Sequence, residues 1–341
     1  MSSTNDLILN VEGLRKFFPI KAGVVQRTVA NVKAVDNVNF FIKRGETLGL
    51  VGESGCGKTT AGRCILRLIQ PTSGKVTFYQ KDNTGKVNQI EVTSAKTAAL
   101  KALKREMQII FQDPNSSLNP RMKIGEMIGE PLYVHKIAKG AALREKVVEL
   151  LEEVGLQAES LNRYPHQFSG GQKQRIGIAR ALALNPQLIV CDEPVTALDV
   201  SIQAQIINLM QNLQKRYNLS YLFIAHDLSV IRQVSDRTAV MYLGRIVEVG
   251  ETDTVFSSPM HPYTEALMSA VPEPDVDDKR EEIILKGDVP SPVNPPNGCY
   301  FHPRCNYAQG ICSEEFPPFI EYKPGHSAAC HFSKELKLKG V

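Results

Sequence analysis

The chain has 341 residues, 43% of them hydrophobic and 22% charged, the make-up of an ordinary folded protein large enough for more than one core. Its net charge of +4 is too small for the dense basic face of a nucleic-acid binder. The N-terminus MSSTNDLILNVEG has no charged stretch followed by an apolar run, and no window holds 18 consecutive apolar residues, so neither a secretory leader nor a membrane span is expected. A cytosolic setting with reduced thiols is the expectation.

The first strong element is GETLGLVG (45–52), a short apolar run ending in glycine, followed by TTAGRCILRLI with apolar residues at helical spacing. Across the junction, Gly52, Glu53, Ser54, Gly55, Cys56, Gly57, Lys58 and Thr59 fit G-x-x-x-x-G-K-[ST] in the strand-then-helix setting the motif requires. The glycines let successive backbone N–H groups face one point as an anion nest, and the helix start adds partial positive charge. Lys58 supplies a mobile cation for β- and γ-phosphates, and the Thr59 hydroxyl is a hard oxygen ligand for Mg²⁺. The plain alternative is a glycine-rich turn without a ligand.

Residues 80–104 are polar and lysine-rich and predict a solvated excursion. From about 115 to 185 the pattern is mainly helical, with REKVVELLEEVGL an amphipathic helix ending at a glycine turn. This predicts a helical subdomain, 115–185, inserted between two parts of an α/β core, 1–114 and 186–255. Within it, FSGGQKQR (168–175) opens a helix, so Ser169, Gly170 and Gly171 present a second N-terminal anion nest, with a plain helix cap as the alternative.

PQLIVCDEP and SYLFIAHD are β-rich apolar runs that end abruptly in polar residues, the pattern of buried parallel strands with chemistry at their C-terminal ends. Between them, SIQAQIINLMQNLQKRY places Ile202, Ile206, Leu209, Met210 and Leu213 on one helical face. Asp192 would emerge beside the phosphate loop and hold Mg²⁺ through water, while Glu193 would polarise an attacking water as general base. The bland alternative is that both carboxylates cap the next helix. TAVMYLGRIVEVGE reads as a β-hairpin, and VPEPDVDDKREEIILKGDVPSPVNPPNG as a linker into a small C-terminal extension, 256–341. The fold class is therefore α/β with a parallel sheet.

These motifs indicate a nucleoside triphosphatase, and in order and spacing they resemble the ATP-binding cassette ATPases over residues 7–270. Ser169, Gly170, Gly171 and Gln172 match that family's signature motif, Gln112 in IIFQD its Q-loop, Asp199 in ALD its D-loop, and His226 in FIAHD its H-loop. The resemblance implies a P-loop NTPase core with an antiparallel β subdomain beside the parallel sheet and the helical subdomain. It implies ATP and Mg²⁺ as cofactors, with Thr59, Gln112 and Asp192 around the metal and Glu193, Lys58, His226 and Gln112 as the catalytic group. Residues 52–60, ending in Thr60 where Ser–Thr is the common pair, would bind ATP in cis. The signature nest would serve the nucleotide of an opposing subunit in a head-to-tail dimer, with Asp199 communicating across it. Phe18 resembles the aromatic that stacks on adenine; Phe17 and simple core packing are the alternatives.

GLVGESGCGKTTAGR, FQDPNSSLNPRM, RYPHQFSGGQ, MYLGRIVEVGE, HPYTEAL and the tail PSPVNPPNGCYFHPRC are similar to the oligopeptide and dipeptide importer ATPases, best to their F-type subunit. That similarity implies a sister ATPase subunit (or a second copy of this chain), two transmembrane permease subunits and an extracytoplasmic solute-binding protein. It places the chain at the cytoplasmic face of the membrane, with no nucleic acid involved. Nickel importers share most of these features. Soluble cassette ATPases acting on nucleic acid usually carry coiled-coil insertions or two fused cassettes, which this chain does not.

The tail holds Cys299, Cys305, Cys312 and Cys330 at C-x5-C-x6-C-x17-C spacing, four of the seven cysteines. Four thiols on a short stretch with little apolar material suggest a metal staple in place of a core. Zinc and an iron–sulfur cluster fit four thiolates equally, although the lack of close C-x2-C pairs weakens a zinc ribbon. Some relatives with a similar pattern carry a [4Fe–4S] cluster, so the resemblance favours that over Zn²⁺ or no metal. Cys56, Cys64 and Cys191 read as small buried residues.

Overall fold

The buried runs become the middle of one large sheet. In the computed structural model, which describes residues 6–23, 26–82, 84–270 and 283–341, β1 (Leu7–Ala22) and β2 (Arg27–Lys43) pair antiparallel. β3 (Thr47–Val51) then leads through the phosphate loop into α1 (Lys58–Ile65), and β4 (Ser73–Lys81) with β5 (Val87–Glu91) returns to β1. α2 (Thr97–Glu106) and β6 (Met107–Ile110) precede a helical stretch of α3 (Pro114–Ser117), α4 (Ile124–Val134), α5 (Gly140–Glu153) and α6 (Gly170–Leu182). The α/β alternation resumes with β7 (Leu188–Asp192), α7 (Val200–Tyr217), β8 (Ser220–Ile224) and α8 (Leu228–Val234), then the β9 (Arg237–Tyr242) and β10 (Arg245–Glu251) hairpin. α9 (Thr252–Ser257), α10 (Pro262–Ser269), α11 (Gly310–Glu314), β11 (Ile320–Lys323) and β12 (His326–Ala328) complete the described residues.

Two sheets result: an antiparallel one in the order β2-β1-β4-β5, and a mixed one in the order β11-β12-β10-β9-β3-β8-β7-β6. Strands β9, β3, β8, β7 and β6 of the second are parallel. Side chains alternate across it between two cores, as the two-residue period of a strand requires. Ile189, Cys191, Tyr221, Phe223, Val240 and Tyr242 face a core continued by Ile128, Leu151 and Ile176 of the helical stretch. Leu188, Val190, Leu222, Ile224, Leu48 and Leu50 face a second, continued by α1 and the antiparallel sheet. Burial on both faces explains why these strands read as unbroken apolar runs.

Residues 80–104 are exposed along most of their length, as expected, but they are structured: β5 extends the antiparallel sheet, and Val92 and Leu103 are buried in the second core. One expectation needs correction: the C-terminal extension is not a small tail short of a core. Phe256, Tyr263, Met268 and Phe301 lie in the first core, β12 pairs with β10 and so adds two strands to the main sheet, and the Val341 N–H donates to Phe256 O at 2.8 Å. Burying a side chain such as Phe301 is worth roughly 1.5–3 kcal/mol, so these contacts supply the cohesion a metal was expected to supply. The charged stretch 271–282, expected as a linker, lies outside the described residues.

The join is also polar. Buried Glu248 of β10 accepts from the N–H groups of Met260 and His261 at 2.8 and 2.9 Å and meets His326 Nε2 at 2.7 Å. His261 is itself buried, its Nδ1 accepts the Tyr263 N–H at 3.0 Å, and burial pushes its pKa from 6.5 down to about 3. The folded protein thus keeps His261 neutral where the unfolded chain binds a proton. Stability from this residue is complete above about pH 6.5 and is lost as pH falls toward 3, by up to about 1.4 kcal/mol per pH unit. Denaturant unfolding of the wild type and of His261→Asn at pH 7 and pH 5 should show the wild type losing about 2 kcal/mol more than the variant. Equal losses would show that His261 is not held neutral.

Candidate functional site

The site forms where three parallel strands end together. Leu50 of β3 lies beside Ile224 of β8, which lies beside Asp192 of β7, so the residues after each strand emerge at one edge. After β3 the chain turns through Gly52–Gly57 into α1. Gly57 caps the helix at φ +108°, a conformation side chains avoid, and a Cβ there would stand 2.0 Å from Ala34 O. The turn of the β9–β10 hairpin braces the loop, its Gly244 N–H donating to Cys56 O at 2.9 Å. Lys58 is only 4% exposed, and its Nζ donates to the Gly52 and Glu53 carbonyls at 2.7 and 3.0 Å.

Thr59, on the first turn of α1, donates from Oγ1 to Asp192 Oδ1 at 2.6 Å. Asp192 is buried, which raises its pKa; the Thr59 hydrogen bond and nearby Arg63 pull the other way. Its Oδ2 has no hydrogen-bond partner, and Arg63 Nη2 stands 3.6 Å from it. A buried carboxylate with an unbonded oxygen beside a hydroxyl is the hard-oxygen set that suits Mg²⁺.

Glu193, one residue past the strand, is held at φ +48°, and its N–H donates to Ile224 O at 2.9 Å. Its Oε2 accepts from Gln112 Nε2 at 2.8 Å and Thr196 Oγ1 at 3.3 Å and lies 3.2 Å from His226 Nδ1. Neither acidic residue caps the following helix, α7, whose N-cap is Asp199. Nor is His226 a cap: Asp227 fills that place on α8, accepting the Ser229 N–H at 2.8 Å.

With this geometry, comparisons with known proteins are decisive. The ABC transporter family matches residues 35–196, and the oligopeptide/dipeptide transporter C-terminal region matches residues 247–312. The chain is 51% identical over 332 residues to the oligopeptide transport ATP-binding protein AppF of Bacillus subtilis (strain 168), covering 97% of this chain and 98% of that one. It belongs to the ABC transporter ATP-binding proteins. It is also 49% identical to the probable peptide ABC transporter ATP-binding protein y4tS of Sinorhizobium fredii (strain NBRC 101917 / NGR234), over 96% of this chain and 90% of that one. A solved dimer of the ATP-binding cassette MJ0796 in a post-hydrolysis state, bound to ADP and Pi, matches with a TM-score of 0.61 and 29% identity, over 72% of this chain and 99% of that one.

The cassette's other motifs stand apart from this cluster. Ser169 caps α6 in a reciprocal box with Gln172, Oγ accepting the Gln172 N–H at 3.3 Å and Gln172 Oε1 accepting the Ser169 N–H at 3.0 Å. The cap is therefore formed within the chain, and the first-turn N–H groups of Gly170 and Gly171 have no acceptor inside the helix. Asp199 is exposed and accepts the Ile202 and Gln203 N–H groups through its carbonyl. Phe18 is 36% exposed on β1 with Lys16 Nζ 4.8 Å from its ring centre, so core packing does not explain it.

Cys299, Cys305, Cys312 and Cys330 line one cavity with Phe301, His302 and His331. Burial pushes the Cys299 thiol up to about 12 and that of Cys305 to about 11. Among the described residues, no three or more His, Cys, Asp or Glu side chains are gathered as a metal-holding group. What is corrected is the expectation that a metal stands in place of a core: sheet pairing and the aromatic core hold the extension.

Two residues that reach the phosphate loop carried no signal in the sequence. Tyr263 Oη accepts the Glu53 N–H at 2.8 Å, and Arg304 forks onto the Glu53 carboxylate at 2.9 and 3.0 Å. Both sit in strings noted above, HPYTEAL and FHPRC, but nothing local says that these side chains turn inward.

Gly57→Ala tests the loop. The forced φ and the contact with Ala34 O should cost at least about 1–3 kcal/mol and abolish tight nucleotide binding. Thermal denaturation and nucleotide titration check this; an unchanged midpoint and affinity would refute the loop geometry.

Proposed function

We propose that this chain is the ATP-hydrolysing subunit of a peptide importer and works as half of a head-to-tail ATPase pair. The observation that carries the reading is the carboxylate of Glu193, fixed by Gln112, Thr196 and His226 at the mouth of a phosphate loop whose Thr59 is tied to Asp192. Gly52–Thr60 would cradle the phosphates, and Lys58 would exchange its two loop carbonyls for β- and γ-oxygens. Thr59, Asp192 and Gln112 would hold Mg²⁺, whose charge offsets that on the transferring phosphoryl group. Glu193 would orient and deprotonate the attacking water, and His226, hydrogen-bonded to it, would steady the γ-phosphate. Phe18 would offer its exposed ring to adenine.

The pairing reading is supported by what faces solvent. Ser169 and Gly170 of the signature turn and Asp199 are exposed, and Val200 is 81% exposed, a costly place for an apolar side chain unless another surface covers it. A nest at a helix start with no phosphate of its own suits the nucleotide of a partner, either a sister ATPase subunit or a second copy. Peptide as cargo is supported by the names of the relatives and the match to the oligopeptide/dipeptide C-terminal region. Among the described residues no helix is long and apolar enough to cross a membrane, so the cargo path is assigned to separate permease subunits, fed by a solute-binding protein. The chain would dock on their cytoplasmic face.

Glu193→Gln should bind MgATP, lose turnover by roughly 10²–10⁴-fold, and accumulate as an ATP-dependent dimer with itself or its sister subunit on size exclusion. Near-normal hydrolysis would remove Glu193 as the base.

The four cysteines on one cavity support a thiolate ligand set, for a [4Fe–4S] cluster or Zn²⁺, with the Tyr307 N–H already 3.4 Å from Cys305 Sγ. Anaerobic purification should give protein with stoichiometric iron and visible absorption, or stoichiometric zinc without colour. Protein free of both metals would end this reading.

A further inference from the structure

The phosphate loop is held from the C-terminal extension as well as from its own strand and helix. Glu53, the second residue of the loop, is fixed at three points. Its N–H donates to Tyr263 Oη at 2.8 Å, its carbonyl accepts Lys58 Nζ at 3.0 Å, and its carboxylate accepts both terminal nitrogens of Arg304 at 2.9 and 3.0 Å. Arg304 lies 251 residues away in sequence, in the His302–Arg304 turn between Cys299 and Cys305. Only 8% of its surface is exposed. A two-point, charge-assisted fork from a buried guanidinium to a partly buried carboxylate is stronger and more directional than a surface ion pair. The turn beneath it is anchored by Phe301, which packs on Tyr242 and Tyr263 with ring centres 5.3 and 5.4 Å apart.

We propose that Arg304 is a positioning residue for nucleotide binding: it neutralises Glu53 and pins the first turn of the phosphate loop, so that the C-terminal extension is part of the ATP site. The chemistry demands such a partner. Glu53 is a carboxylate in a loop built to receive a polyphosphate, and unpaired it would repel the ligand and compete for Lys58. Two of the five N–H donors of Arg304 are spent on the Glu53 carboxylate. Arg304 acts through the loop, and the proposal rests on the assignment of that loop to ATP.

The test is equilibrium titration of MgATP into the purified full-length chain, with the thermal midpoint measured without nucleotide. Arg304→Ala should weaken ATP binding about tenfold, the scale of a lost charge-assisted hydrogen bond. Arg304→Lys, which keeps the charge without the fork, should fall between the variant and the wild type. In a Glu53→Ala background, Arg304→Ala should bring no further loss, because the charge it serves has gone. Wild-type affinity in Arg304→Ala, or the same tenfold loss in the Glu53→Ala background, would overturn the proposal; the second result would mark a purely structural role. If Arg304→Ala fails to fold, Arg304→Gln replaces it in the same cycle. Failure of the wild type to bind ATP would instead defeat the assignment of the loop, so the two failures are distinguishable.

Discussion

The parity of β7 decides whether this protein has a site at all. Along the strand, Ile189 and Cys191 face the core shared with the helical stretch, while Leu188 and Val190 face the core shared with α1. Asp192 continues the second series, so its carboxylate arrives on the α1 side, where Thr59 meets it at 2.6 Å. A slip of one residue against β8 would turn every side chain of β7 over and send Asp192 into the opposite core. Apolar burial on both faces fixes the register, and the register fixes the chemistry.

Glu193 solves the complementary problem. The strand could not deliver two adjacent carboxylates to one place, because neighbours on a strand point to opposite faces. The left-handed backbone at Glu193 ends the strand, and its N–H is retained by Ile224 O. Such a conformation persists only where the surroundings over-determine it, and here residues following β6 and β8, together with Thr196, converge on one oxygen. The carboxylate is therefore held in place before any ligand arrives, the preorganisation that the role proposed for it requires.

The local parts of this design were legible in the sequence. A glycine loop between a strand and a helix, and apolar runs ending in Asp192-Glu193 and before His226, carry their meaning in a few adjacent residues. Contacts between distant segments were not legible. β11 and β12 are four and three residues long with no useful alternation, and they become strands only because β10 offers an edge. Residues 80–104 are mostly exposed, and the buried Val92 and Leu103 are too sparse among lysines to show that the stretch joins a sheet. The anchoring of the extension was hidden for a related reason: the cysteine spacing suggests a stretch in need of a staple, while Phe301 between the cysteines is buried in the main core.

That anchoring changes what the extension is. A module tethered by a linker could drift without consequence for catalysis, but this one shares an aromatic cluster, Tyr242, Tyr263 and Phe301, with the sheet that carries the phosphate loop. The turn above that cluster presents Arg304 to Glu53 on one side and Cys299, His302 and Cys305 to the cysteine cavity on the other. Its backbone is closed by hydrogen bonds from His302 N to Cys299 O and from Arg304 N to Phe301 O, both 3.0 Å. The short turn that carries Cys299 and Cys305 is therefore the one that carries Arg304, whose fork holds the Glu53 carboxylate while the Glu53 carbonyl accepts Lys58 Nζ, and the extension is continuous with the loop through side chains as well as through the aromatic core.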